Sequence, residues 1–313
     1  AALRDLPNLT HLNLNCNRID YLPAELGELS RLVSLSVSSN YLRELDDVVF
    51  GFADLVELDA SFNLLQSLPD GIGQLRCLQS IALAGNAIAT ISDRISECRG
   101  LRVVDVRGNL LQTLAPLARC AGLVDLRADY NQLNSLDSPD WPCMVDLSVS
   151  RNAITEVTFA RPLPALRMLD VSANRIGRLP DDLFSATVNL EYLDVSDNQL
   201  TSFPRSAETL GRLVKLCAAN NQLADFTVDF SGLRRLKILD LHANNLRRLP
   251  SELWLAPSLV VLNLSSNCFP SLPPPPATFT TSAAKTRLPL CLVLEELFMG
   301  DNQCRNEVLA QLA

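Results

Sequence analysis

The chain has 313 residues, with 27 Lys and Arg against 35 Asp and Glu and a formal net charge of −8. That balance argues against a nucleic-acid partner, whose binding rests on cations matched to backbone phosphates, and it carries no information about fold. Hydrophobic residues make up 48% and aromatics only 5%, so aliphatic side chains must fill whatever core forms.

Length alone would suggest about two domains, but an internal period overrides that prior. The stretch Leu236-Lys-Ile-Leu239-Asp-Leu241-His-Ala-Asn244-Asn-Leu246 has the frame L-x-x-L-x-L-x-x-N-x-L. Its asparagine recurs at Asn17, Asn40, Asn63, Asn86, Asn109, Asn131, Asn152, Asn174, Asn198, Asn221, Asn244, Asn267 and Asn302. The intervals run from 21 to 24 residues until the last, which is 35. A period in this range with this frame is that of leucine-rich repeats. In L-x-L the leucines point one way and the middle residue the other, as a short strand requires. A repeat cannot bury its own apolar side, so it must stack on neighbours. An asparagine amide both donates and accepts, so stacked Asn side chains can satisfy backbone groups where each strand turns away. The expected fold is an α/β leucine-rich-repeat solenoid, a horseshoe with a parallel β-sheet on its concave face and a mostly irregular, short-helical convex side. It is expected to be one domain over 1–313, of about thirteen repeats, cut from a larger protein at both ends.

Residues 1–114 keep a regular 23-residue step. Their return legs, Leu22-Pro23-Ala-Glu-Leu26-Gly-Glu-Leu29 and Leu68-Pro69-Asp-Gly-Ile72-Gly-Gln-Leu75, are expected to be extended or short helical turns rather than strands, because proline donates no hydrogen bond. Residues 115–164 are irregular, with Pro139, Trp141 and Pro142 interrupting a return leg. This reads either as a change of curvature or as a tolerated loop variation. Residues 165–272 regain the period. A run of four prolines, Pro273 to Pro276, opens a Pro/Thr/Ser/Ala insertion at 273–288, which cannot build a core and reads as an exposed loop or as a docking segment for a Pro-binding module. Nine scattered cysteines without paired spacing at either end point to a reducing, cytoplasmic compartment. Nothing in the sequence reads as a secretory signal or an 18-residue apolar run.

Phosphate-cradling, zinc-binding and nucleophile-elbow motifs are missing from the sequence. The two histidines, His11 and His242, lie ten repeats apart. Cys217 sits one repeat from His242 on the inner face, so a Cys/His pair is conceivable, but no third residue orients it. No catalytic, cofactor or metal residue is expected within the segment. The informative surface is the inner sheet. Its face reads as mostly acidic, with Asp59, Asp105, Asp170, Asp194 and Asp240 between the paired leucines. The column two residues after the first leucine turns apolar towards the C-terminus: Met168, Tyr192, Ile238 and Val261, with Lys215 among them. Apolar rows rimmed by charge mark partner sites, and Tyr192 is the natural anchor. Arg107, Arg127 and Arg151 form a smaller basic group, set either to pair with Asp105, Asp125 and Asp129 or to meet an acidic partner.

The order of repeat variants resembles the leucine-rich-repeat region of fungal adenylate cyclases. The resemblance rests on Leu166-Arg-Met-Leu-Asp-Val-Ser-Ala-Asn-Arg-Ile176, on the run from Leu233 to Trp254, and on the proline insertion followed by Leu294-Glu-Glu-Leu-Phe-Met-Gly-Asp-Asn302 and Glu307-Val-Leu309. It covers residues 120–313 well; the first hundred match only as generic repeats. It implies a multidomain parent enzyme that makes cyclic AMP and diphosphate from ATP with Mg²⁺. It also implies a Ras-type small GTPase as partner, contacts with other domains of the same chain, and attachment to the cytoplasmic face of the plasma membrane only through partners. Because effector surfaces of such GTPases are acidic, Arg107, Arg127, Arg151 and Lys215 become the expected contacts. The alternative is a free-standing repeat scaffold or phosphatase-targeting protein, since this fold does not fix function.

Overall fold

The alternation in L-x-L becomes a strand of three residues in every copy of the frame. A computed structural model of the protein describes residues 6–136, 139–159, 161–271 and 293–303. The proline insertion at 273–288 and the stretch 307–309 lie outside the described residues. The chain groups into two units, 1–153 with 158–163, and 154–157 with 164–313. Unit 1 carries the strands His11–Asn13, Ser34–Ser36, Glu57–Asp59, Ser80–Ala82, Val103–Asp105, Asp125–Arg127 and Asp146–Ser148. Unit 2 carries Met168–Asp170, Tyr192–Asp194, Lys215–Cys217, Ile238–Asp240, Val261–Asn263 and Glu296–Phe298. Within each unit neighbouring strands are parallel and pair without slippage, as in Ser34 opposite Glu57 and Tyr192 opposite Lys215.

The middle residue of each strand points into the core, and Leu35, Leu58, Leu126, Leu193, Leu216 and Leu239 are all buried. Each such leucine is worth roughly 1.5–3 kcal/mol of transfer free energy, and it gains this only because the next copy covers it. Both units are leucine-rich-repeat solenoids, with a parallel sheet on one side and short helical turns on the other. The returns are 3₁₀ turns such as Ala24–Glu28, Asp70–Gln74, Arg205–Thr209 and Ser251–Leu255. Each of these is entered from a proline, Pro23, Pro69, Pro204 or Pro250, with φ between −58° and −80°. Proline's fixed φ suits a helix entry, where no N–H is missed. One return leg departs from expectation. Ser67–Leu68 pairs in parallel with Thr90–Ile91, a two-residue ladder that fits because it ends just before Pro69. The irregular copy is held by Trp141, which is fully buried and donates its indole N–H to the Leu117 carbonyl at 2.9 Å. In unit 2 a row of rings, Phe184, Phe203, Phe226 and Phe230, stacks with centroids 5.0–6.0 Å apart.

The frame asparagine ends each strand and joins each copy to the one before. Asn63 Nδ2 donates to the carbonyls of Ala60 and Ser61 in its own copy, both at 3.1 Å, and to Val37 of the preceding copy at 3.0 Å. Its Oδ1 accepts from the Leu42 amide at 3.0 Å. Asn198, Asn221, Asn244 and Asn267 repeat the pattern in unit 2. The residue before each asparagine takes a left-handed conformation: Gly85 and Gly108 do so with φ of 66° and 63°, and eleven non-glycines, Phe62 and Ala243 among them, with φ of 50–58°. Such a backbone is strained for a non-glycine by roughly 1–2 kcal/mol, and the four bonds of the following asparagine hold it there.

Replacing Asn244 by Ala orphans the Leu223 amide and removes one of the two donors to each of the Ala218, Leu241 and His242 carbonyls, which keep Asn221, Asn267 and the Asn220 amide. At 1–3 kcal/mol for an unsatisfied buried group, the expected loss is about 3 kcal/mol. It should be read as a lower urea midpoint at unchanged slope. Asn245→Ala, at an exposed neighbour, should barely move the midpoint, and equal effects at both positions would refute the ladder as a source of stability.

Candidate protein-binding face

Because every strand in unit 2 pairs in step, the column expected from the sequence is continuous. Met168 lies opposite Tyr192, Tyr192 opposite Lys215, Lys215 opposite Ile238, and Ile238 opposite Val261. All five are part-exposed, so they are neither core nor free in solvent. Tyr192 is fixed from two sides. Lys215 Nζ lies 5.1 Å from its ring centroid, in cation–π range, and its hydroxyl donates to Asp194 Oδ2 at 3.1 Å. Burial, then the Asp194 charge, push the Tyr192 pKa upward, so the hydroxyl stays a donor. An aromatic ring held in one orientation at the centre of an exposed row loses little entropy when a partner covers it.

The acidic row has a structural origin. Asp59, Asp105, Asp170, Asp194 and Asp240 each accept the backbone N–H two residues on, from Ser61, Arg107, Ser172, Ser196 and His242, at 2.9–3.1 Å. Asn13 and Asn263 do the same. These are Asx turns that steer the chain out of the strand. The aspartates are therefore structural first, and their charge on the face is a by-product.

The basic group of unit 1 is largely spoken for. Arg107 binds Asp105 through Nε at 2.9 Å and Nη2 at 2.6 Å, and its pKa is raised chiefly by that hydrogen bond. Arg127 binds Asp125 at 2.8 Å. Their side chains are still 46% and 50% exposed, enough for a partner to reach. Arg151 lies 5.0 Å over the Tyr130 ring. Asp129 instead serves the next copy, accepting from Ser148 and Ser150. Of the two expectations for this group, internal pairing is what the side chains of Arg107 and Arg127 adopt.

A cation row missed at the sequence level lies where the unit 2 strands begin. Arg212, Arg234, Arg235 and Lys237 are exposed, and none takes part in an ion pair among the described residues. The frame assigns a direction only from the first sheet residue onward, and these lie just before it. Their signal was the pair Arg234-Arg235 two residues ahead of Lys237.

No nucleophile emerges among the described residues. His242 Nδ1 lies 2.7 Å from Asp240 Oδ1, and Cys217 is buried, its thiol pushed up to about 12 by burial and then by Asp194. Among the described residues no three His, Cys, Asp or Glu converge to hold a metal ion, and no helix is long and apolar enough to cross a membrane.

Comparison with known proteins agrees with this architecture. Leucine rich repeat family models match residues 30–88, 164–223 and 5–21. The chain is similar to adenylate cyclase of Schizosaccharomyces pombe, 29% identical over 218 residues, covering 64% of this chain and 13% of that enzyme. This is the resemblance expected from the repeat order. It is also 34% identical over 155 residues to the Drosophila melanogaster protein phosphatase PHLPP-like protein, covering 47% of this chain and 16% of that protein. Among solved structures, the plant peptide hormone receptor RGFR1 in complex with RGF2 superposes with a TM-score of 0.81 at 27% identity, over 99% of this chain and 51% of that one. The chain thus spans a small part of these two curated relatives.

Thiol chemistry tests the burial of Cys217 on this face and of Cys98 and Cys120 at the ends of return-leg turns. Burial raises the folded pKa of Cys98 and Cys217 to about 12 and of Cys120 to about 11, above the usual thiol value. Iodoacetamide at pH 8 should therefore alkylate exposed Cys16, Cys77 and Cys143 and spare these three in the folded chain, since the thiolate is the nucleophile. The stabilisation linked to these thiols is complete below pH 9 and declines towards pH 11–12, because the unfolded chain ionises first. Rapid native-state labelling of Cys217, read by mass spectrometry, would contradict the geometry.

Proposed function

We propose that this chain is the regulatory protein-binding array of a fungal-type adenylate cyclase, and that a Ras-type GTPase docks on its exposed sheet face. The observation that carries the binding role is the unit 2 stripe, where Met168, Tyr192, Ile238 and Val261 stay part-exposed in register around a pinned Tyr192. Similarity to the Schizosaccharomyces pombe enzyme supports the parentage. In this reading the apolar residues supply contact area and Lys215 a cation, while Arg107, Arg127 and Arg151 offer a separate basic set in unit 1. The parent enzyme would convert ATP to cyclic AMP and diphosphate in another part of the protein, and Mg²⁺ would act there. Contacts to other domains of the same chain would carry the signal, and partners would bring the protein to the cytoplasmic face of the plasma membrane. A second reading, a repeat scaffold or phosphatase-targeting protein without cyclase activity, draws on the similarity to the PHLPP-like protein.

The test is titration of the purified chain with a Ras-type GTPase loaded with a GTP analogue or with GDP. Tyr192→Ala with Ile238→Ala should weaken binding at least tenfold, about 1.4 kcal/mol or more, and leave the melting temperature within about 2 °C, as for substitutions outside the core. Parallel loss of binding and stability would make the stripe core rather than contact. Absence of binding in either nucleotide state would favour the scaffold reading.

A further inference from the structure

In a parallel sheet all strands start at the same edge, so residues just ahead of each strand share that edge. In unit 2 this brings Arg212, Arg234, Arg235 and Lys237 together with Lys215, the first residue of its strand. The Lys237 amide donates to the Val214 carbonyl at 2.8 Å, and its own carbonyl accepts from Val260 and Val261, so Lys237 is fixed beside the stripe. Arg212 and Arg235 hold equivalent places in successive repeats, about 4.8 Å apart at strand spacing. Five cations thus occupy two repeats of a chain whose net charge is −8. Arg167, in the Lys237 column, shows the contrast, since it pairs with Glu191 at 3.7 Å. Like charges at this spacing repel one another, and an acidic surface landing on them relieves that repulsion.

We propose that this strand-entry edge of unit 2 is the landing surface for an acidic protein, whose carboxylates meet Arg212, Arg234, Arg235 and Lys237 while its apolar centre covers Tyr192, Ile238 and Val261. The inference rests on the binding role proposed above and names the edge and the charge of the partner. The far side of the stripe decides the class of partner. There Asp170, Asp194 and Asp240 line the strand ends, one strand length away. A membrane or a phosphate backbone presents negative charge uniformly and would meet that row as well as the cations. A folded protein carries local charge and can set its acidic side on one edge only. The plus–apolar–minus order across the face also fixes which way round the partner sits.

Arg234→Glu with Arg235→Glu and Lys237→Glu should cut the association rate of a GTP-analogue-loaded Ras-type GTPase at least tenfold at low salt and flatten its salt dependence, because steering acts on encounter. The dissociation rate should change far less, and the melting temperature should stay within about 2 °C, because these side chains are exposed. Arg107→Glu with Arg127→Glu should have a smaller kinetic effect, since Asp105 and Asp125 already neutralise those cations. Wild-type binding with the triple variant unchanged would overturn this inference alone. No wild-type binding would remove the GTPase reading and this inference with it. Sedimentation with phosphatidylserine vesicles that depends on the same residues would overturn it in favour of a lipid surface.

Discussion

Every other feature of this protein depends on a side-chain amide replacing the hydrogen bonds that a turning backbone gives up. A strand of three residues cannot be left cheaply, because its next carbonyls turn inward, where backbone amides alone do not satisfy them. The frame asparagine collects two of them from its own copy and one from the copy before, and its oxygen takes an amide from that earlier copy. The same contact therefore ends a strand and fastens two repeats. Leucine burial supplies most of the driving force, but it is non-directional. The amide ladder sets the register, and without register the exposed columns would not be columns.

The proposed binding face follows from that constraint. In-step pairing lets Met168, Tyr192, Lys215, Ile238 and Val261 form one row. The aspartates beyond it are there because the turn needs an acceptor, and the cations ahead of it form no ion pair among the described residues because nothing in the turn uses them. The polarity of the face thus has two causes, backbone satisfaction on one side and unused charge on the other. Only the second is available to a partner without disturbing the fold.

How much of this was legible in the sequence differs between levels. The repeats, the buried leucines and the part-exposed stripe were readable because a fixed frame converts position directly into direction. The Asx turns were not, because an aspartate bonded to its own backbone and one facing solvent have the same letter. Arg107 and Arg127 left both options open, and their separation of two residues from Asp105 and Asp125 lets each reach its own strand's acid. The phenylalanine row was hidden because only Phe203 and Phe226 share the 23-residue period, while Phe184 and Phe230 come from other places in their return legs. Trp141 looked like an interruption and is a plug, its indole bound to Leu117. The short ladder between Ser67–Leu68 and Thr90–Ile91 is not legible in the sequence, because a proline withholds its own hydrogen bond but leaves the residues before it able to pair.

The sameness of the asparagine joints bears on how such a gene can change length. Val37 to Asn63 and Ala60 to Asn86 are bridged by the same bond at 3.0 and 3.1 Å, so excising residues 64–86 would place two interchangeable surfaces in contact. Unequal recombination that adds or drops a whole copy meets no new chemistry at the seam, whereas a slip of even one residue inside a copy disturbs every bond of its amide.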